Sequence, residues 1–372
     1  MGKRILITGG AGFIGSHVSD LLLRCGHSVR ALDMLCEQVH GPDRRRPDYL
    51  DAGVELVVGD VRDAEAVRKA LQGIDVVFHF ATIVGVGQSM YQIADYVSTN
   101  NMGTAVLLEA LVRQPVERLV VASSMSIYGE GLYCTKDGCC IADADRTPEQ
   151  LKKSDWEMRG RDGDVLEPVP TPESKTPALA SVYALSKYDQ ERMCLMIGRA
   201  YGIPSVALRF FNAFGTRQAL SNPYTGVLAI FASRLLNDNP PLIYEDGNQK
   251  RDFVSVRDVA EACRLAMTVP EAAGHVFNIA SGRQYRVKDV ASLMARVLGK
   301  PGIEPHVSGK YRVGDIRHCF ADISLAGRVL GFEPRVPLED GIEELAAWLQ
   351  EQTATDRVAE ANEELARRGL AI

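Results

Sequence analysis

Apolar residues along the first half of the chain come in short blocks whose period alternates. Residues 3–8 (KRILIT) form a β-branched run closed by Gly9 and Gly10, the pattern of a strand buried in a parallel sheet. Phe13, Ile14, Val18, Leu21, Leu22 and Leu23 then recur at helical spacing. Gly26 supplies a stop, and HSVRALD predicts a second strand ending at Asp33. The cycle repeats through VELVVGD (54–60), a helix in AEAVRKALQG, DVVFHFA (75–81), a helix in NMGTAVLLEALVR, and ERLVVASS (117–124). Strands that alternate with helices need crossover connections, so the expected fold class is α/β, with a doubly wound parallel sheet of Rossmann type.

Residues 131–176 interrupt this rhythm with mixed charges and no sustained apolar period, the pattern of a surface insertion. Regular structure resumes at SVYALSKYDQERMCLMIGRAYG, a long amphipathic helix, and at PSVALRFFN, a further strand. Past about residue 215 the predicted segments shorten, which indicates a smaller C-terminal α/β lobe. The expected division is a dinucleotide-binding domain over 1–205, carrying the insertion, and a substrate-binding domain over 206–372, with the two lobes interleaved. The tail DRVAEANEELARRGLAI is predicted helical from its Ala, Glu and Arg content, and its pattern carries no function.

Length agrees, since 372 residues at roughly 150 per domain make about two domains. The balance of 42 Lys and Arg against 48 Asp and Glu, net −6, leaves no basic surplus to grip a polyanion. That excludes nucleic acid as the main partner and favours a small substrate. Neither a membrane partner nor a signal peptide is expected, because no apolar run is long enough for either, and the expected location is cytoplasmic. Eight scattered cysteines fit reduced thiols. Cys134, Cys139 and Cys140 cluster, but a fourth ligand at regular spacing is missing, so no metal is expected.

Candidate chemistry begins at GGAGFIG, where Gly9, Gly12 and Gly15 stand between the first strand and the first helix. A dinucleotide fold needs one glycine there for a tight turn, one for close approach of the pyrophosphate and one for helix packing, while the helix N-terminus offers free N–H groups. Asp33 follows about twenty residues on, at the end of the second strand, where a carboxylate accepts hydrogen bonds from ribose hydroxyls and repels a 2′-phosphate. NAD is therefore expected rather than NADP. Asp60, in GDVRD, either reaches the adenine edge with help from the Val61 amide or caps the following helix. Farther on, Ser124 ends a strand, and Tyr183 and Lys187 are spaced to share one helix face. An ammonium beside a phenol would lower its pKa from about 10 toward working pH and make it a general base.

Together GGAGFIG, Asp33, Ser124 and Tyr183-x-x-x-Lys187 resemble the extended short-chain dehydrogenase/reductase family in its nucleotide-sugar epimerase/dehydratase branch. The second half is similar as well, through LRFFNAFGTRQ (208–218), GNQKRDFVSVRDVA (247–260), FNIASG (277–282) and RVGD (312–315). The resemblance implies an NAD lobe, a lobe for a nucleotide-diphosphate sugar and a reaction that starts by oxidation at carbon 4 of the hexose. It places Phe13, Ile14, Val61, Phe80, Ala81 and Asn100 about the cofactor, with Asn100 holding its helix near the active site. It places Val86, Ser124, Ser126 and Asn212 at the substrate, and Arg251 and Arg312 as clamps on the diphosphate. A homodimer is implied through helices 100–113 and 183–201, with Leu107, Leu108, Leu111, Met193, Met196 and Ile197 as the apolar surface.

The branches of the family differ after the serine. Its 4,6-dehydratases carry an Asp–Glu pair there and its UDP-glucuronate decarboxylases keep the Glu, whereas this chain has Met125 and Ser126. SSMSIYG is thus similar to the 4-epimerases. VGVGQSMY (84–91) and RQALSNPYTGVLAIFASRLL (217–236) resemble the dTDP-L-rhamnose type, which yields dTDP-6-deoxy-L-talose, more than the UDP-galactose type, which usually has a lysine where Val84 stands. A UDP-glucose/UDP-galactose-type 4-epimerase, a 4-ketoreductase and a UDP-glucuronate decarboxylase are the alternatives. The insertion, tethered between Ser124 and Tyr183, is either a cap over the sugar anchored by Trp156 or a disordered excursion.

Overall fold

The computed structural model describes residues 2–312 and 314–371. Seven strands make one parallel sheet: β1 (Arg4–Thr8), β2 (Ser28–Asp33), β3 (Glu55–Val58), β4 (Val76–His79), β5 (Arg118–Ser124), β6 (Ser205–Phe210) and β7 (Val276–Ile279). Their order is β7-β6-β5-β4-β1-β2-β3, so the chain winds outward from β1 first to one side and then to the other. Such a sheet is hydrophobic on both faces and must be covered twice. On one face α1 (Phe13–Arg24) packs with α6 (Val256–Thr268), where Val18, Leu22, Val259 and Cys263 meet Ile5, Phe78 and Leu208. The other face is covered by α2 (Ala64–Ala70), α3 (Gly103–Arg113) and α4 (Val182–Tyr201).

This covering corrects half of the expected subunit interface. Leu107 and Leu111 are fully buried and Leu108 nearly so, in the core that α3 shares with Leu6, Val77 and Leu119 of the sheet. A helix that roofs a sheet spends its apolar stripe on that sheet. Met193 and Ile197 are partly buried in the same core, and Met196, at 60% exposure, is the most open of the six. The helix expected from NMGTAVLLEALVR begins with a π-helical turn, Val97–Met102, before α3, and Asn100 lies in that turn. Such bulges re-aim side chains out of the regular helical rows.

The second lobe gathers α5 (Val227–Leu236), α7 (Val287–Val297) and α8 (Leu338–Leu349) about Phe231, Val290, Met294, Ile342 and Leu345. The last helix, α9 (Val358–Arg367), follows. Although they come from the second half of the chain, β7 and α6 complete the first lobe. Among the described residues no helix is long and apolar enough to cross a membrane.

Residues 131–176 are ordered, contrary to the disordered excursion. Short strands Leu132–Cys134, Cys140–Ile141 and Glu167–Val169 form an antiparallel sheet, with Tyr133, Met158 and Leu166 as a small core. Charges that look solvated in the sequence are instead paired. Arg146 bonds Glu245 at 2.7 Å, and Arg317 joins the same Glu245 at 2.9 Å and also Glu157, so the insertion is bolted to the second lobe. Removing one member of such a buried network strands the others and costs about 3–5 kcal/mol.

Candidate active site

A cavity of about 880 Å³ runs from the turn after β1, past the end of β5, into the second lobe. At its first end the glycines divide their work. Gly9 has φ +71°, and a Cβ there would stand 2.9 Å from the Ala81 amide nitrogen. Gly15 sits against the turn itself, where a Cβ would lie 2.4 Å from the Gly9 carbonyl oxygen and 2.7 Å from Gly10 Cα. Gly12 is the N-cap of α1 and supplies no capping side chain. The first-turn N–H groups of α1 are thus left for an anionic ligand at the positive end of the helix. Gly9, Gly12, Phe13, Ile14 and Gly15 all line the cavity.

Asp33, at the end of β2, lines the same region and is 9% exposed. It accepts the Ala11 amide at 3.1 Å and the Leu35 amide at 2.9 Å, which fix its carboxylate at the rim. Asp60 also lines the cavity and pairs with Arg62, whose amide it accepts at 2.8 Å. Capping of α2 falls instead to Asp63, which accepts the amides of Glu65 (2.9 Å) and Ala66 (3.2 Å). Val61, Phe80 and Ala81 also line it. Uncapped helix N-terminus, glycine cradle and rim carboxylate together fit the pyrophosphate and ribose of a dinucleotide.

Asn100 does not reach the cavity. It is fully buried, accepts the Ile83 amide at 2.8 Å and donates to the Ser186 hydroxyl at 2.9 Å, tying the loop after β4 to α4. It acts on the site by positioning those two elements.

Ser124, Tyr183 and Lys187 come together in the middle of the cavity. Ser124 accepts the Ser126 amide at 3.1 Å and the Ser126 hydroxyl at 2.9 Å, because the chain turns into a 3-10 helix (Met125–Tyr128) directly after β5. Ser181 caps α4 through the Ala184 amide at 3.1 Å and so sets the start of the helix bearing Tyr183 and Lys187. The expected electrostatics need correction. Burial raises the Tyr183 phenol above its ordinary value, with Ser124 opposing that rise. Burial also lowers Lys187 to about 7. Its ammonium donates to Gln190 Oε1 at 2.7 Å, so sharing a helix face does not by itself aim the charge at the phenol.

Gln190 extends this contact into a chain that the sequence did not signal. It reaches the Thr104 hydroxyl at 2.9 Å, and Thr104 and Thr8 each lie 2.8 Å from a nitrogen of the buried His79 ring. Burial, and then the Lys187 charge, push His79 down to about 3, so it is neutral. The chain holds β1, β4, α3 and α4 in register behind the lysine.

Ser126 lines the cavity beside Ser124, and Val86, Asn212, Arg251 and Arg312 line it as well. Asn212 donates to the Asp252 carbonyl at 2.8 Å. Arg251 donates to the carbonyls of Lys250 and Arg317, each at 3.0 Å, and to that of Ile316. These contacts orient the guanidinium without neutralising it. Arg312 pairs with Asp315 at 2.9 Å and lies 4.6 Å above the Tyr244 ring. No residue of 131–176 is among the described lining, which sets aside the cap; Trp156 is buried against Tyr311. Tail residues Val358, Ala361, Asn362 and Leu365 do line it, and the sequence signal was their helical spacing.

The model of the NAD dependent epimerase/dehydratase family matches residues 5–147 and 157–280. The chain belongs to this family. It is an NAD-dependent epimerase, and its Gly9–Gly15 turn and Asp33 lie in the matched segments. A curated relative, dTDP-L-rhamnose 4-epimerase of Burkholderia thailandensis, is 36% identical over 361 residues, covering 94% of this chain and 96% of the relative. Among solved structures, UDP-glucose 4-epimerase of Thermotoga maritima with UDP-glucose superposes with a TM-score of 0.76 at 30% identity, covering 94% of this chain and 99% of that one. The Thermus thermophilus UDP-glucose 4-epimerase complex with NAD gives a TM-score of 0.74 at 29% identity, covering 94% and 100%.

Proposed function

We propose that this epimerase inverts carbon 4 of a nucleotide-diphosphate hexose, converting dTDP-L-rhamnose to dTDP-6-deoxy-L-talose. The observation that carries the reaction type is the trio Ser124, Tyr183 and Lys187 in one cavity, followed by Met125 and Ser126 in place of the acid and base that an elimination needs. The similarity to the Burkholderia enzyme supports the sugar.

Gly12 to Gly15, Asp33 and Lys187 hold NAD, which when bound accepts a hydride from carbon 4 and returns it. Tyr183 takes the proton from the 4-hydroxyl and gives it back after the ring has turned. Ser124 holds the same oxygen. Burial raises Tyr183, so its proton transfer relies on the Ser124 contact and on a Lys187 that titrates near 7 rather than on a standing phenolate. Arg251 and Arg312 grip the diphosphate, leaving the hexose free to rotate. The assembly is a homodimer that packs through the exposed side of the 97–113 and 183–201 helices, where Met102, Leu185 and Met196 are open.

Incubation of the purified protein with dTDP-L-rhamnose, UDP-glucose and UDP-glucuronate, without added NAD, tests this reading. The expected result is equilibration of dTDP-L-rhamnose with its 4-epimer and no net NADH. Net oxidation or reduction, or release of CO2, would overturn it.

A further inference from the structure

Two of the three carbonyls that orient Arg251 belong to the short segment 315–318, those of Ile316 and Arg317. Side chains from the insertion and its threshold hold that segment by its backbone. Arg146 donates to the Asp315 carbonyl at 3.0 Å, and the Asp315 carboxylate is the partner of Arg312. Glu130, one residue before the insertion, accepts the Arg317 amide at 2.6 Å and the His318 amide at 3.1 Å. Glu157 pairs with the Arg317 guanidinium and lies 3.0 Å from His318 Nε2. The other ring nitrogen of His318 accepts the Lys250 amide at 3.0 Å, so Nε2 carries the proton and donates to Glu157. Glu245, at 1% exposure, joins Arg146 to Arg317 and closes the network.

We propose that Arg146 and Glu157 of the insertion are positioning residues for the diphosphate clamp: through the backbone of 315–318 they set the aim of Arg251, and with it the grip on the second phosphate of the substrate. The proposal rests on the nucleotide-sugar reading above. Arg251 is held by neutral carbonyls, so its charge stays available to an anion, but its direction is only as fixed as those carbonyls are. A guanidinium pairs with phosphate oxygens in a planar fork, and a small misplacement loses that geometry. Apolar packing could fill the space beside 315–318, whereas a donor on the Asp315 carbonyl and an acceptor on the Arg317 and His318 amides fix the direction of each peptide group. The insertion thus reaches the substrate without lining the cavity. A network that served stability alone would lower Tm when broken and leave the preference for a second phosphate as it was.

The test titrates NAD-loaded protein by calorimetry with dTDP and UDP, each against its own monophosphate, so that the ratio of the two affinities reads the second phosphate alone. Wild type should prefer the diphosphate of at least one base by about tenfold or more. Arg251→Met sets the scale by bringing that ratio toward unity. Arg146→Met should narrow it by about fivefold, with monophosphate and NAD affinities within about twofold of wild type, and in turnover should raise KM for the nucleotide sugar with little change in kcat. Glu157→Ala should act in the same direction. At 37% exposure Glu157 is the more open member, and this variant carries the test if thermal unfolding shows that Arg146→Met does not fold. A ratio that stays within about twofold of wild type in the folded variants, while Arg251→Met collapses it, overturns the positioning role and leaves the nucleotide-sugar reading standing. A wild type without preference for either diphosphate, or an Arg251→Met protein that keeps the preference, ends the assignment of Arg251 to the diphosphate and the positioning role with it.

Discussion

Gly15→Ala tests the cofactor cradle through its geometry. The new methyl would stand 2.4 Å from the Gly9 carbonyl oxygen, 2.7 Å from Gly10 Cα and 3.0 Å from the Gly10 carbonyl carbon. All three are backbone atoms, so no side chain can swing aside. Restoring ordinary contact requires the turn and the start of α1 to separate by roughly 1 Å, and forced overpacking of this kind costs about 1–3 kcal/mol. The same displacement moves the first-turn N–H groups off the roughly 2.9 Å that a hydrogen bond to a phosphate oxygen needs, and losing about 1.4 kcal/mol weakens binding about tenfold. Gly12→Ala is the control. Its methyl meets only the Gly9 oxygen, at 3.3 Å, and Gly12 has no positive φ, so the fold should tolerate it while the methyl intrudes on the anion's approach. Calorimetric titration of stripped protein with NAD, paired with thermal unfolding, reads both effects. We expect Gly15→Ala to lose stability and at least tenfold in NAD affinity, and Gly12→Ala to lose affinity at nearly unchanged Tm. Gly15→Ala protein that keeps both wild-type Tm and NAD affinity within twofold would refute the assignment of the turn to the pyrophosphate.

Tyr183→Phe should abolish turnover while nucleotide titrations stay near wild type, and residual activity within about tenfold would remove Tyr183 from the proton transfer. Lys187 titrates near 7 in the fold, below the ordinary lysine range, so unfolding takes up a proton between those values and the contribution of this residue to stability rises with pH from about 7. The Tm difference between wild type and Lys187→Met should therefore shift in favour of wild type as pH is raised from 6.5 to 9.5, and a flat difference would contradict the buried ammonium. Arg251→Met should raise KM for the nucleotide sugar tenfold or more with a smaller change in kcat, because it removes an oriented guanidinium whose protein partners are carbonyls. Leu107→Ala should cost about 2–5 kcal/mol in denaturant unfolding without changing the oligomeric state, whereas Met196→Lys should change the light-scattering mass and leave stability alone.

The strand and helix rhythm of the first 124 residues was legible because each element repeats a period: KRILIT and DVVFHFA as buried runs, Phe13 to Leu23 as a helical face. Gly9, Gly12, Gly15 and Asp33 were legible because a turn between a strand and a helix restricts which residues fit. What failed depends on partners distant in the chain. Arg146, Glu157 and Arg317 look solvated until the fold brings Glu245 between them. Spacing put Lys187 on the same face as Tyr183, but Gln190 and the seclusion of the site set where its charge points and how readily it ionises. Leu107 and Leu111 offered an apolar stripe whose destination, sheet or second subunit, periodicity cannot distinguish. The tail showed the same ambiguity with the opposite outcome, since a stripe without an evident partner proved to face the cavity.

The placement of β7 and α6 in the first lobe has a consequence for synthesis. When residue 205 leaves the ribosome, the glycine turn, Asp33, Ser124, Tyr183 and Lys187 have all been made, yet the face later covered by α6 is bare and the edge later paired with β7 does not exist. Residues up to 279 must follow, which at roughly 5–20 residues per second takes about 4–15 s. Through that interval the nascent chain exposes Ile5, Phe78 and Val120 on a sheet with open strands, a surface that invites chaperones or neighbouring chains. A chain expressed to residue 205 alone would stay in that condition and aggregate, so the half that carries Ser124, Tyr183 and Lys187 depends on the other half to fold.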